Sequence, residues 1–168
     1  MAPTLSVSFQ IGDRAVYPAH GVAEIVAIET KEIAGSRKEF YVLRVVQSEM
    51  KLMIPCYGAD RAGLRSVATA ETVEKVFVVL RADEVAVKPG PWNRRFREYT
   101  ELVNSGSLIE VAKVFRDLWR IRPERELSYG ERRLLEHSKN LLVAELALVR
   151  GVTLPEMESA LEGAVARA

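Results

Sequence analysis

The chain has one cysteine, Cys56, in 168 residues, so no internal disulfide can form. This agrees with a reducing compartment. Cys56 and the two histidines, His20 and His137, lack the paired spacings of a structural zinc set, and neither a metal nor a cofactor is expected. No apolar run reaches the ~18 residues a membrane span needs. Met1 to Gln10 has neither the basic head nor the apolar stretch of a signal peptide. The expectation is a cytoplasmic protein that makes no membrane contact. Catalytic signatures are missing too: there is no phosphate-cradling G-x-x-x-x-G-K-S/T loop, no G-x-G-x-x-G after a strand, no G-x-S-x-G elbow and no H-E-x-x-H. His20 sits in the turn Pro18-Ala19-His20-Gly21. His137 stands beside Glu136 with no Ser or Cys placed for it to activate. Cys56 follows Pro55 without a local positive field that would make a reactive thiolate. The chain is not expected to be an enzyme. No repeat, low-complexity tract or heptad run is present, which leaves a monomer as the default.

What is present is the composition of a folded protein, 48% hydrophobic and 28% charged. The formal net charge of +1 hides an uneven distribution. Residues 1–68 carry 8 Lys/Arg against 7 Asp/Glu, residues 88–139 carry 12 against 8, and residues 140–168 carry 2 against 4. The local excess of +4 in the middle segment is where an acidic partner such as DNA is expected. Solvated helix faces account for the same charges equally well.

The period of the hydrophobic pattern changes once. Up to about residue 68 it reads as short strands: Ala15–Tyr17, Val22–Ile28, Phe40–Val46 after the turn Ala34-Gly35-Ser36, Met50–Ile54, and a last edge piece at Gly63–Arg65. Five short strands in about 60 residues fit a small, strongly bent sheet or barrel. From Thr69 the period is helical. Val73, Val76, Phe77 and Leu80 form the first stripe, with Thr69 as cap. Pro89-Gly90-Pro91 breaks the chain before a second helix over Trp92–Asn104. Capping boxes open three more, at Ser107/Glu110, Ser128/Glu131 and Thr153/Glu156. The expectation is an α+β chain: a five-stranded β domain over residues 1–68, then a compact five-helix domain over residues 69–168.

The most unusual segment is Trp92-Asn93-Arg94-Arg95-Phe96-Arg97-Glu98-Tyr99. Three arginines within four positions cannot share one helix face, so at least one lies toward the core. Trp92 leads them directly after the Pro-Gly-Pro break. Two readings stand: an exposed ring beside arginines suits a wedge into a DNA base step, and a buried ring would staple the helix start to the core.

Gly12-Asp13-Arg14-Ala15-Val16-Tyr17-Pro18-Ala19-His20-Gly21-Val22 resembles the opening G-D-x-V-V-Y-P-x-H-G of the CarD/CdnL family of bacterial RNA polymerase-binding transcription regulators. Trp92-Asn93-Arg94-Arg95-Phe96, Asp117-Leu118-Trp119 and Leu127-Ser128-Tyr129-Gly130-Glu131-Arg132 resemble that family's later motifs, in order and spacing. The likeness runs from about Phe9 to Ala166. It implies that the β domain is Tudor-like, related to SH3 barrels, and that it docks on the RNA polymerase β subunit, partly by extending a sheet. On that reading the docking surface includes Lys31, Met53 and Pro55, with Val42 and Arg44 beside them. Some relatives carry Arg where this chain has Met53, which replaces an ion pair by an apolar, adaptable contact. The helical domain is implied to contact promoter DNA, without sequence specificity, at the upstream edge of the transcription bubble. Trp92 would be the wedge, with Arg94, Arg97 and Arg132 on phosphates. Arg95 also matches the motif, but a pairing with a nearby carboxylate is expected of it.

The mechanism so implied is a docked regulator that stabilises the open promoter complex through contacts weak by themselves. Three rivals are set beside it: a polymerase-docking adaptor whose helices bind another protein, a sequence-specific repressor, and a small-ligand sensor.

Overall fold

Strand-forming and helix-forming residues segregate along the chain, and the computed structural model, which describes residues 8–166, is divided the same way. The boundary between two compact units falls between Val67 and Ala68. The architecture is α+β: a Tudor-like five-stranded antiparallel sheet, then five helices.

The sheet comprises β1 (Arg14–Tyr17), β2 (Gly21–Ile33), β3 (Ser36–Val45), β4 (Lys51–Pro55) and β5 (Arg65–Ser66), in spatial order β4-β3-β2-β1-β5. Side chains alternate between faces along a strand. Ala23 and Ile25 on β2, Tyr41, Leu43 and Val45 on β3, and Ile54 on β4 therefore point to one side, where they form a core with Phe9, Ala15, Ala59 and Leu64. The register between β2 and β3 shifts between Ile25 and Ala27, a bulge that bends the sheet. Next to it, the Gly12 amide donates to the Ile25 carbonyl at 2.8 Å and the Ile25 amide to the Asp13 carbonyl at 2.9 Å.

β2 and β3 run further than the hydrophobic pattern predicts. Lys31 pairs across Lys38 and Ile33 across Ser36, making a ribbon that turns at Ala34 and Gly35. Residues 29–39 are exposed on both sides of the ribbon, so no burial alternation is imprinted there. The last strand lies at Arg65–Ser66, just after the expected Gly63–Arg65.

The helices are α1 (Ala70–Arg81), α2 (Trp92–Val103), α3 (Leu108–Ile121), α4 (Tyr129–Arg150) and α5 (Leu154–Val165). Their common core includes Val76, Leu80, Tyr99, Phe115, Leu118, Leu142, Leu146 and Leu161. Thr69, Ser107, Ser128 and Thr153 all cap as the sequence predicts, each accepting from the amide three residues on. The boxes at Ser128/Glu131 and Thr153/Glu156 are reciprocal. The one at Ser107 is only half formed: the Ser107 amide donates to Ser105 Oγ at 3.2 Å, and the Glu110 carboxylate binds Lys113 at 3.1 Å. A nearby ammonium competes well for a carboxylate that would otherwise reach back to a neutral amide.

α3 carries a polar clamp inside this unit. Arg116, 1% exposed, donates to the Val79 carbonyl, and Arg120 donates to the carbonyls of Leu80 and Ala82. Two guanidinium groups thus satisfy the orphan carbonyls at the end of α1, where cations also suit the helix dipole. Asp117 accepts from the amides of Ala86 at 2.9 Å and Val87 at 3.2 Å, which pins the segment leading to α2. Burial pushes the Asp117 carboxyl above the usual carboxylate range, against the opposing pull of those amides and of Arg116.

Candidate functional site

The residues singled out in the β unit lie on the face opposite its core. Cross-strand partners share a face. Val42 stands across from Met53, Arg44 from Lys51 and Phe40 from Pro55. The period of two therefore groups Phe40, Val42, Arg44, Met53 and Pro55 in one strip over β3 and β4. Met53 is 39% exposed, while Val42, at 9%, is largely covered. Arg44 is already held by Glu24 at 2.8 Å and approached by Glu49 at 3.8 Å. Lys31 lies apart, exposed on the ribbon across from Lys38. Phe40 was not among the expected residues, although its two-residue spacing from Val42 was the signal that would have found it. β4 ends the strand order, so its outer edge presents backbone donors and acceptors with no strand partner among the described residues.

In the helical unit, Pro91 stands at the N-cap of α2 without a side-chain cap, and Trp92 is its first residue. The Trp92 ring is half-buried and packs against the helical core. It lies 5.5 Å from the Phe96 ring, centroid to centroid. Both rings sit over Gly130 in the first turn of α4. A Cβ at Gly130 would come within 3.0 Å of Trp92 Cζ2 and 3.7 Å of Phe96 Cε2. The staple and the wedge are therefore not exclusive: one edge of Trp92 is seated while the ring retains some exposure.

The arginines divide by their partners. Arg94 binds Glu98 at 3.1 Å and donates to the carbonyls of Lys88 at 3.0 Å and Pro89 at 2.9 Å, folding over the Pro-Gly-Pro turn. A Cβ at Gly90 would meet this guanidinium, so a larger residue there would displace the Arg94 side chain from the turn. Arg95 is the one turned inward, 14% exposed, 3.8 Å from Glu131 and facing the rings of Trp92 and Tyr99. Arg132 donates to the Leu127 carbonyl at 2.9 Å and lies 3.9 Å from Glu126. Arg97 is exposed on α2 and has no carboxylate partner among the described residues.

Glu131 organises the start of α4. Its carboxylate is 2% exposed, takes two bonds from Arg125 at 2.8 and 2.7 Å, and accepts from the Ser128 amide at 3.0 Å. These donors, Arg125 foremost, hold its carboxyl down at about 2. The sequence marked Glu131 as half of a capping box and as part of a family motif, without a charged partner; its ion pairs depend on Arg95 on α2 and Arg125 ahead of α4.

Among the described residues no three His, Cys, Asp or Glu side chains cluster as a metal site would. No helix of these residues is long and apolar enough to cross a membrane. His20 stacks on Tyr17 at 5.6 Å, His137 is exposed, and burial pushes the Cys56 thiol up, away from reactivity. Tyr99, Asp117, Trp119 and Arg120 line a cavity of about 800 Å³ in the helical unit.

Residues 9–68 match the family described as the CarD-like/TRCF RID domain, and residues 75–162 match the CarD C-terminal domain. The chain is 32% identical over 151 residues to the candidate transcription factor YdeB of Bacillus subtilis (strain 168), covering 90% of this chain and 98% of that protein. A solved structure described as "CdnLNt from Myxoccoccus xanthus" is 45% identical over 39% of this chain and 93% of its own, with a TM-score of 0.31. Two family matches in order, together with a relative aligned along nearly its whole length, decide the assignment. The chain belongs to the CarD/CdnL family of bacterial RNA polymerase-binding transcription regulators.

Proposed function

We propose that residues 1–68 dock on the RNA polymerase β subunit and that residues 69–168 grip promoter DNA at the upstream edge of the bubble, stabilising the open complex. The observation that carries the DNA half is the seating of Trp92. A ring placed at the first position of a helix, fixed along one edge by Gly130 and Phe96 and still partly exposed, is pre-organised to enter a base step. The docking half is supported by the free edge of β4 and the apolar strip of Met53, Pro55 and Phe40 beside it. A polymerase strand added there would pair with main-chain groups while the strip filled pockets.

Neither contact needs to be tight. A local excess of +4 charges supports salt-sensitive, sequence-independent DNA binding. Docking raises the effective concentration of the helical unit at the promoter, where weak contacts then count. If Trp92 fits the opened junction better than closed duplex by ~1.4 kcal/mol, the open-to-closed ratio rises about tenfold. No base-specific contact is required, and the protein acts as a monomer without cofactor.

The test is the lifetime of open complexes formed by bacterial RNA polymerase, with wild type and with Trp92→Ala. Wild type should lengthen the lifetime, and Trp92→Ala should lose that effect while still binding the β subunit. A wild type that binds the β subunit but leaves the lifetime unchanged would replace this reading with the adaptor, whose helices hold another protein.

A further inference from the structure

Beside the wedge, the first turns of α4 carry a pair to which the family resemblance assigns no role: Tyr129 and Arg133. The Tyr129 ring is 67% exposed although it adjoins Gly130, the seat of Trp92 and Phe96. Arg133, one helical turn further on, lies over this ring at 5.7 Å and donates from Nη1 to the phenol oxygen at 3.0 Å. The direction of that bond matters. The Tyr129 oxygen accepts, so its own hydrogen is left free to donate outward. Arg133 uses one of its five N–H groups on the phenol and keeps the others. The result is an O–H donor and a guanidinium presented side by side to solvent.

Charge bookkeeping along this surface favours the same pair. Arg94 is bound by Glu98, Arg95 by Glu131, and Arg132 lies near Glu126. Arg97 and Arg133 are the arginines of this group without a carboxylate partner among the described residues, so their charges are the ones left for an external anion. An exposed aromatic hydroxyl held beside an uncompensated guanidinium is a donor set for one phosphodiester oxygen pair, with the ring free to lie against the adjoining sugar.

We propose that Tyr129 and Arg133 form a phosphate clamp that binds the DNA backbone next to the base step entered by Trp92. The inference rests on the reading of the helical unit as the DNA-contacting part and names contacts that reading does not include. The clamp gives the wedge a second point of attachment, which fixes the orientation of the ring relative to the strand. Because it addresses phosphate and sugar, it adds affinity and register without sequence preference.

The experiment uses the full chain with RNA polymerase holoenzyme on a promoter fragment, comparing Tyr129→Phe, Arg133→Ala, the double variant and Trp92→Ala. Tyr129 and Arg133 are exposed, so thermal unfolding and β-subunit binding should match wild type for the two single variants and the double variant, and Trp92→Ala should keep β-subunit binding. Tyr129→Phe and Arg133→Ala should each shorten the open-complex lifetime, Arg133→Ala by roughly tenfold or more, as expected for one charged hydrogen-bonded contact. The double variant should fall short of the product of the two effects, because the groups act as a unit. Arg133→Ala should also lower the salt dependence of DNA binding by about one ion. If Trp92→Ala shortens the lifetime while Tyr129→Phe and Arg133→Ala leave both lifetime and salt slope unchanged, the clamp is overturned and the wedge stands. If Trp92→Ala is also without effect, the DNA reading itself fails and the clamp with it.

Discussion

The two units satisfy their polar groups in different ways, and the contrast explains why each suits its own kind of contact. The sheet pairs its strands internally and ends at β4, whose outer edge has no strand partner among the described residues and is open to an added strand. Its side-chain ties include Arg44 to Glu24, and the Phe9 amide to the Tyr41 hydroxyl at 3.1 Å. The helical unit has no spare backbone of that kind along its helices. It buries Arg116, Asp117, Glu131 and Glu145 instead, and no buried side-chain polar atom among the described residues lacks a partner. A sheet therefore offers main-chain adhesion as a by-product of ending. Helices must present side chains at their ends, and the rest of the unit is built to hold those ends still.

The contrast is broken most severely by equal cavities in the two cores. Leu43 and Leu118 are both fully buried, one in each core. Replacing either with Ala should cost about 2–5 kcal/mol. In a unit of under 70 residues that is comparable to the whole margin of roughly 3–5 kcal/mol, so Leu43→Ala should unfold the sheet. Hydrogen exchange would then show β2 and β3 amides unprotected. The larger helical core should survive Leu118→Ala with weakened but measurable protection. Equal loss in both units would show that core size is not what separates them.

A second test removes charge without removing volume. Glu131→Gln leaves Arg95 and Arg125 without their anion and should destabilise the helical unit by about 2–4 kcal/mol, leaving the sheet unchanged. The same group predicts a pH dependence. Its folded-state carboxyl titrates near 2, below the ordinary value of 4.5, so it contributes stability that is complete above about pH 4.5. That contribution is lost progressively as pH falls towards 2. Acid unfolding followed by helical circular dichroism should lose this component in Glu131→Gln; an unchanged acid profile would mean that other carboxylates govern it.

The smallest effect sharpens the comparison within the helices. Ser128 belongs to a reciprocal box and Ser107 to a half-formed one. Ser128→Ala should cost about 1–2 kcal/mol and Ser107→Ala about 0.5–1 kcal/mol in urea denaturation. Equal losses would show that the Glu131 carboxylate adds nothing to the cap.

Local signals carried far along this chain. The change of period near residue 68, the caps at Thr69, Ser107, Ser128 and Thr153, and the glycine turn at Ala34–Gly35 depend only on neighbours a few residues apart. They were legible for that reason, and the ordered motifs carried the family. The length of the β2–β3 ribbon was not, because a strand exposed on both faces records no burial pattern. The site was legible in part: the sequence marked the Trp92 segment as unusual and required one arginine of three to turn inward. That Trp92 rests on Gly130 and that Arg95 reaches Glu131 are decided by the packing of α2 on α4, and that Arg133 is left without a carboxylate is decided by where the acidic side chains of the finished unit lie. Secondary structure follows from hydrogen bonds closed within a few residues, which sequence encodes directly. Which charge meets which partner depends on how the finished helices pack, and only the tertiary structure determines that.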